Sequence, residues 1–212
     1  MLKFKCIITD FKIGQIFGVL KAFVYRIEWQ ARDLPHAHML LILDHKIMTA
    51  AQIDAIVSAE SMPDPVADPV LHSLVSGHML HPRCDVVLRE EKHSCRADKD
   101  GHLCDCRRRF PKDMEPATVI IGDGFPKYRR RGLYTATDRS GRIVTDSWVV
   151  PHSPYLLLKY QCHINVEARI PAAPHIPTLS ITTATQRNCI SDLCSHPIFQ
   201  VSNLHHLHHP PP

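Results

Sequence analysis

The sequence predicts an α+β fold in which an antiparallel β-hairpin is combined with flanking helices. Apolar and polar residues alternate along 17–30 and again along 37–43, and this period of two is typical of strands. The connection at 31–35 has the length of a hairpin loop. Helix signals lie on both sides of the hairpin, which completes the α+β pattern.

Three helices are predicted from local signals. Residues 3–13 form the end of a helix that Gly14 breaks. Thr49 and Gln52 match a capping box at the start of the second helix. Asp68-Pro69 begins the third helix as its N-cap and first helical residue.

The second half of the chain is less regular. We expect a strand pair formed by 128–131 and 142–150, and a final strand over 162–167. The tail at 171–212 contains seven prolines, six histidines and no glycine. Because it has neither helical nor strand periodicity, we expect an unstructured Pro/His-rich tail.

His36 and His38 are two residues apart on the second predicted strand, so both side chains project from one face of the sheet. Glu28 and Gln30 share a face of the first strand, and we expect them beside the histidines. Imidazole with a carboxylate or amide oxygen suits Mg²⁺ or Mn²⁺. The alternative is that both histidines are ordinary polar residues on a half-exposed strand.

A second group of candidate ligands lies in a Cys/His-rich insert at 78–112. In a reducing compartment such a group indicates zinc, although the spacing is not that of a standard finger. The alternative is a set of scattered thiols in a loop. The potential ligands are His81, Cys84, Cys95, Cys104 and Cys106, with His78 and His102 nearby.

Two basic clusters carry aromatic neighbours, a combination in which cations can follow a phosphate backbone while rings stack on bases. The alternatives are that these clusters are two solvated loops or that they form a signal similar to a nuclear-import signal. The first cluster is Arg107, Arg108 and Arg109 with Lys112, beside Phe110, and the second is Lys127 with Arg129, Arg130 and Arg131, beside Phe125 and Tyr128.

Composition limits the class of protein. The net charge of +4 is modest for a DNA-binding protein, so the two local clusters of basic residues are stronger evidence for DNA binding than the net charge. No apolar stretch approaches the ~20 residues of a membrane-spanning helix. The first ten residues are charged too early for a signal peptide. Eight cysteines without such a signal indicate an intracellular, reducing location.

Several motifs occur along the chain in one order. They are 17–30 with Leu34-Pro35-His36-Ala37-His38, then 58–65, 68–69, 78–84, 106–112, 123–131 and 148–167. Together they resemble the Rep domain, the helicase-like N-terminal region of Helitron transposases, which belong to rolling-circle DNA transposons. The resemblance extends from about residue 3 to residue 168, so we predict a partial Rep-like domain over 1–168 that contains a metal hairpin at 17–43.

The resemblance implies an endonuclease of the HUH type, with a ferredoxin-like antiparallel sheet and flanking helices. In such enzymes two histidines and a third polar residue hold a metal that polarises the scissile phosphate, and a tyrosine attacks to leave a 5′-phosphotyrosine link. Carried over to this chain, His36 and His38 are the ligands, with Gln30 as the first choice for the third ligand and Glu28 as the second. A nuclear location is also implied.

Cys84, Cys95 and Cys106 match family positions, so the resemblance gives His81, Cys84, Cys95 and Cys106 as the expected zinc ligands. It also makes single-stranded DNA the expected partner of Arg107, Arg108, Arg109, Lys112, Arg129, Arg130 and Arg131.

The chain departs from this family in three respects. The family's catalytic tyrosine pair follows the His-Ile-Asn-Val-Glu motif, whereas no tyrosine follows Tyr160 here. The family strand before the hairpin, with its Phe-Thr-x-x-Asn-Pro signature, is not found. The helicase domain and its P-loop are not found either. We therefore expect an internal piece of a transposase, with 171–212 as frame-shifted or non-coding sequence read as protein.

Three functions follow from these observations. The first is an inactive remnant of the transposase that retains binding to single-stranded DNA. The second is an active nuclease in which Tyr155, Tyr160 or a metal-activated water attacks. The third is a co-opted, non-enzymatic DNA-binding module. The missing tyrosine pair disfavours the active nuclease. The missing strand weakens the DNA-binding module, because it leaves a sheet edge exposed. We predict the first.

Overall fold

The structure, a computed structural model, describes most of the first 170 residues and one further segment. The described residues are 2–29, 35–45, 47, 49–60, 64–81, 106, 108–121, 125–138, 141–170 and 178–184. The predicted ligands Gln30, Cys84 and Cys95 and the predicted DNA contact Arg107 lie outside them.

Helices and short strands alternate along the described chain. Their order is α1 (Leu2–Lys12), β1 (Leu20–Trp29), β2 (Pro35–Leu43), α2 (Ala50–Asp54), α3 (Pro69–His78), β3 (Ala136–Thr137), β4 (Ile143–Val144), a 3₁₀ turn (Asp146–Trp148), α4 (Pro154–Tyr160), β5 (Ile164–Arg169) and β6 (Thr178–Ala184). Among these described elements, no helix combines the length and the apolar character that crossing a membrane requires.

A four-stranded sheet organises the fold. Its strands follow the order β1-β2-β6-β5, and each neighbouring pair is antiparallel. The α+β class is therefore confirmed. Because directly opposite residues share a face of the sheet, the register assigns every strand residue to one of two faces.

One face of the sheet packs against the main hydrophobic core. Met39 and Leu41 of β2 are buried there with Ile164 and Val166 of β5. The same core contains apolar side chains of α1 and α4, among them Ile7, Phe11, Leu156 and Tyr160. The opposite face carries His36, His38 and their cross-strand partners, and we call it the histidine face. Its residues include the exposed pair Val24 and Leu40.

A second core lies between α3, α4 and the chain segments around residues 106–110 and 144–150. Its fully buried members include Val75, Met79 and Val149, with Phe110 and Trp148 beside them. This second core holds the segment 108–112, with its basic side chains, against the rest of the domain.

The predicted helices are confirmed. The helix before Gly14 is α1, and Thr49 and Gln52 form both hydrogen bonds of the capping box at α2. The Asp68 carboxylate accepts a hydrogen bond from the Leu71 N–H at the start of α3. These signals act within a few residues, so they are readable without tertiary information.

The prediction that 128–131 pairs with 142–150 is wrong, because 128–131 is not the strand that pairs there. The strands at this turn are β3 and β4, only two residues each. Lys127 and Arg130 instead form single bridges with Val119 and Glu115. The Ser140-Gly141 signal located the turn between the two strands. Which segments pair beyond that turn depends on which backbones the two cores bring together.

The expectation that 171–212 is wholly unstructured is wrong over 178–184. This segment forms β6, which pairs with both β2 and β5 in the middle of the sheet. Thr-Leu-Ser-Ile-Thr-Thr-Ala does alternate with period two, and its β-branched residues favour strands. The proline-rich composition of the surrounding tail obscured this short pattern.

Candidate metal and nucleic-acid site

The hairpin of β1 and β2 presents His36, His38 and Glu28 on the same face. Glu28 lies directly opposite His36 in the register, and Arg26 lies opposite His38. The neighbouring strand β6 places Thr182 beside His38. The prediction that Glu28 stands beside the two histidines is therefore confirmed as a placement on the sheet.

The side chains make direct contacts on this face. Glu28 Oε2 lies 3.4 Å from His38 Nε2, and Glu28 Oε1 lies 3.4 Å from Arg26 Nε. The Glu28 and His38 side chains are 43% and 47% exposed, so solvent reaches both. Within the described part of the chain, no three His, Cys, Asp or Glu side chains converge closely enough to form a metal site. The donor types suit a divalent cation, and two of them already touch.

Strand β5 extends the histidine face with further polar side chains. Asn165 pairs through Thr182 with His38, and His163 immediately precedes the strand. The His163 ring donates a 2.7 Å hydrogen bond from Nδ1 to the His78 carbonyl. Burial lowers the pKa of His163, and the nearby positive charges of Arg108 and His36 lower it further. His163 and Asn165 were not among the predicted site residues, although their alternation before Glu167 is a usable signal.

A cleft of about 820 Å³ opens beside β5 on the histidine face. His163, Asn165 and Glu167 line its strand side. The Asn165 amide points its Nδ2 toward the Glu167 carboxylate at 3.4 Å, while its buried Oδ1 has no hydrogen-bond partner among the described residues. The other walls carry basic and aromatic side chains, namely Arg108, Arg109, Lys112, Lys127, Arg130, Phe110, Phe125 and Tyr128.

The first basic cluster lies at this cleft. Arg108, Arg109 and Lys112 line it, and the Lys112 ammonium stands 5.1 Å from the centre of the Phe110 ring. Burial lowers the pKa of Lys112, and the charge of Arg130 adds to this effect. Phe125, 44% exposed, stacks under the Arg169 guanidinium with 5.6 Å between their centres. Cations of the first cluster and the exposed Phe125 ring therefore line the same cleft.

The second basic cluster is engaged within the protein. Arg129 pairs with Asp54 and Glu60 at 3.1 Å each, and Arg131 pairs with Glu60 at 2.5 Å. Arg130 is 4% exposed, and its guanidinium donates to the carbonyls of Ala59, Asp146 and Val149.

The predicted role of Arg130 as a DNA contact therefore needs correction. Arg130 lines the cleft, but its guanidinium is 4% exposed and its hydrogen bonds go to three backbone carbonyls, so its role is to support the structure. Arg129 and Arg131 retain partial exposure, but their charge is largely matched by Asp54 and Glu60.

The two candidate nucleophiles lie away from the histidines. Tyr155 and Tyr160 are on α4, and Tyr160 belongs to the core on the opposite face of the sheet. The Tyr160 hydroxyl donates a 2.6 Å hydrogen bond to Asp10 Oδ2. Burial and this carboxylate raise the pKa of Tyr160 far above its usual range, which opposes formation of a nucleophilic phenolate. Tyr155, 49% exposed, lies 3.5 Å from the Lys159 ammonium.

Two of the four predicted zinc ligands are described, and the structure brings them together. His81 Nε2 lies 3.3 Å from Cys106 Sγ although 25 residues separate them in sequence. Cys84 and Cys95 lie outside the described residues.

The fold and this face define an α+β protein whose antiparallel sheet presents a His-x-His pair beside a basic cleft. Residues 1–41 match the family model described as the Helitron helicase-like domain at the N-terminus. The match ends within β2, just after His36 and His38, and it supports a Helitron-related origin. No curated protein and no solved structure matches the chain.

Proposed function

We propose that this protein is an inactive derivative of a rolling-circle transposase that binds single-stranded DNA beside a divalent metal ion. The observation that carries the proposal is the register of the β1–β2 hairpin, in which Glu28 stands opposite His36 and contacts His38. The Helitron-related match covers this hairpin. The proposal assigns the hairpin to the metal and the adjacent cleft to the nucleic acid.

The chemistry of the donors supports a metal at the hairpin. Two imidazoles and one carboxylate form a set that binds Mn²⁺ or Mg²⁺, and a bound cation supplies positive charge against phosphate oxygens. In this proposal His36, His38 and Glu28 hold the cation, and because the three side chains do not converge in this structure, the cation draws them together when it binds. Gln30, the other predicted oxygen ligand, lies outside the described residues.

The surroundings of the hairpin support single-stranded DNA as the partner. Arg108, Arg109 and Lys112 offer positive charge along the cleft, and the exposed Phe125 ring offers a surface for stacking. Phosphate contacts supply affinity, and base–aromatic stacking adds about 1–3 kcal/mol per base without sequence preference. The cleft lies on the same sheet face as the hairpin, so one strand can contact both.

The positions of the tyrosines support the absence of nicking. The chain contains five tyrosines, all within the described residues. Tyr25 belongs to the opposite face of β1, and Tyr155 and Tyr160 lie on α4. Tyr134 donates to Asp64, and the buried Tyr128 accepts a hydrogen bond from Ala168 at the edge strand β5. None of them is positioned as a nucleophile beside His36 and His38.

Binding of labelled single-stranded DNA to the full chain, measured by fluorescence anisotropy with and without Mn²⁺, tests the proposal. We expect Mn²⁺ to increase affinity in the unmodified protein but not in His38→Ala. Paramagnetic resonance of Mn²⁺ is expected to show metal binding at least about tenfold weaker in that variant, the smallest loss typical for groups supporting a metal site. Asp44→Asn, an exposed carboxylate beyond β2, is the matched control.

The assignment of DNA binding to the cleft is tested separately, by the salt dependence of affinity in two arginine variants. Arg108→Ala is expected to lower the slope of log affinity against log salt by about 0.7, the contribution of one phosphate contact on a single strand. Arg129→Ala, whose charge is engaged by Asp54 and Glu60, is expected to leave the slope unchanged. Equal effects of both substitutions would contradict the assignment of the cleft.

A nicking assay completes the test. The protein is incubated with single-stranded DNA and Mn²⁺ and then run on a denaturing gel that retains covalent adducts. We expect neither a nicked product nor an adduct. An adduct that disappears in His36→Ala would overturn the inactive assignment, and its loss in Tyr155→Phe or Tyr160→Phe would identify the nucleophile.

A further inference from the structure

A histidine and a cysteine, His81 and Cys106, lie in contact beside the second core. Nε2 of His81 lies 3.3 Å from Sγ of Cys106, and the two residues are 9% and 8% exposed. His81 lies three residues after the end of α3, and Cys106 lies 25 residues further along the chain. The fold therefore buries two potential ligands against each other from distant parts of the chain.

The distance between the two atoms suits a shared metal ion. Zinc is bound by cysteine sulfur at about 2.3 Å and by histidine nitrogen at about 2.0–2.1 Å, in a tetrahedral arrangement. These values place a sulfur and a nitrogen on the same ion roughly 3.5 Å apart. The separation of 3.3 Å is close to this value, and the alternative is a weak hydrogen bond between thiol and imidazole.

Both ligands are held by their surroundings before any metal binds. The His81 N–H donates to the Trp148 carbonyl at 2.8 Å, and the His81 ring stacks on Phe110 with centroids 4.2 Å apart. The Cys106 carbonyl accepts a 2.6 Å hydrogen bond from the Arg109 N–H in a tight turn. Little conformational freedom is left to lose, which favours binding.

We propose that His81 Nε2 and Cys106 Sγ are two ligands of a structural zinc ion, separate from the cation assigned to the hairpin. A thiolate paired with an imidazole selects zinc over the harder cations Mg²⁺ and Mn²⁺. Cys84 and Cys95, which the sequence indicates as further ligands, lie outside the described residues, and the proposal concerns His81 and Cys106 alone.

The zinc ion would tie the chain at Cys106 to the segment that follows α3. The turn at Cys106 leads directly into Arg108 and Arg109, which line the cleft. A metal bridge at His81 would therefore hold these two arginines in place. Because metal binding to a folded site is itself a source of folding free energy, the ion would also stabilise the second core.

Metal content of the purified full chain tests this proposal independently of DNA binding. We expect one zinc per chain in the unmodified protein by elemental analysis, and loss of that zinc in His81→Ala and in Cys106→Ser. Cys6→Ser, a half-buried cysteine on α1, is the matched control and is expected to keep the ion. His81→Cys replaces one zinc ligand with another and is expected to retain zinc.

Cobalt substitution of the unmodified chain provides a readout that does not depend on the folding of a variant. Co²⁺ bound to a thiolate gives a near-ultraviolet charge-transfer band, which we expect to appear on titration and to disappear on addition of Zn²⁺. Unmodified protein without zinc and without this band would overturn the proposal and leave a hydrogen bond. Zinc retained in both His81→Ala and Cys106→Ser would overturn it as well, by assigning the ion to other residues.

Discussion

The Tyr160 hydroxyl donates a 2.6 Å hydrogen bond to Asp10, joining α4 to α1 on the core side of the sheet. Asp10 also accepts a hydrogen bond from the Lys159 ammonium at 2.6 Å. The carboxylate is buried, so these two donors are what compensates its loss of hydration. This arrangement gives Tyr160 a structural role and removes it from consideration as a freely ionisable group.

Replacing Tyr160 by phenylalanine tests this role. The substitution removes one of two donors to a buried carboxylate, and such hydrogen bonds contribute about 1.5–3 kcal/mol. We expect the free energy of unfolding in urea to fall by an amount in the lower part of this range, because Lys159 remains bound to Asp10. Tyr155→Phe, at an exposed position on the same helix, is expected to change it by less than about 0.5 kcal/mol. Equal stabilities of the two variants would refute the assignment.

Acid destabilisation is expected from His152. Its side chain is buried, its Nδ1 donates to the Val150 carbonyl at 3.1 Å, and burial lowers its pKa from 6.5 to about 4. As the pH falls, His152 is therefore protonated near pH 6.5 in the unfolded chain but only near pH 4 in the folded chain. The stability contributed by neutral His152 is present above pH 6.5 and is lost as the pH falls toward 4.

Urea unfolding at pH 7 and pH 5 measures this effect. We expect His152 to account for about 2 kcal/mol of the difference, with His163 contributing in the same direction because its pKa is also lowered. His152→Gln, which cannot be protonated in this range, is expected to flatten the pH dependence. His45→Gln, at an exposed site, is expected to leave it unchanged. An unchanged pH dependence in His152→Gln would show that acid acts through other groups.

Arg130 is expected to be far more important for stability than its neighbour Arg129. Its buried guanidinium satisfies three carbonyls, including those of Ala59 at 3.2 Å and Val149 at 2.9 Å. Arg130→Met leaves these acceptors without a donor, and each buried unsatisfied group costs about 1–3 kcal/mol. Arg129→Met loses partly exposed ion pairs, each contributing about 0–1 kcal/mol. Thermal unfolding of both variants measures the difference, and a smaller effect at Arg130 would contradict the buried role.

Strand β6 is expected to protect its neighbours from amide exchange. Thr182 lies between His38 and Asn165 in the register, so it contributes backbone hydrogen bonds in the centre of the sheet. Thr182→Pro removes a donor that a central strand requires. Hydrogen–deuterium exchange is expected to be slow over residues 178–184 in the unmodified protein and faster in both β2 and β5 of the variant. Unprotected exchange over 178–184 in the unmodified protein would exclude this strand.

Local signals in the sequence located the hairpin, the helix caps and the relation between Glu28 and His36. Strand alternation and capping act over two to four residues, so a single chain segment contains the information. The same reasoning failed for β6, whose strand pattern is short and surrounded by prolines. It also failed for 128–131, where the partners of Lys127 and Arg130 come from an irregular segment.

The sequence by itself determined the α+β class, the hairpin with His36 and His38 on one face, and the presence of basic and aromatic residues suited to nucleic acid. Only the tertiary structure decided which charges remain available: Arg108 and Arg130 both line the cleft, but the Arg130 guanidinium is 4% exposed and donates to three backbone carbonyls. Only the tertiary structure brought His81 to Cys106. Burial and contacts between distant residues depend on how the two cores pack, and no local pattern of residues encodes that packing.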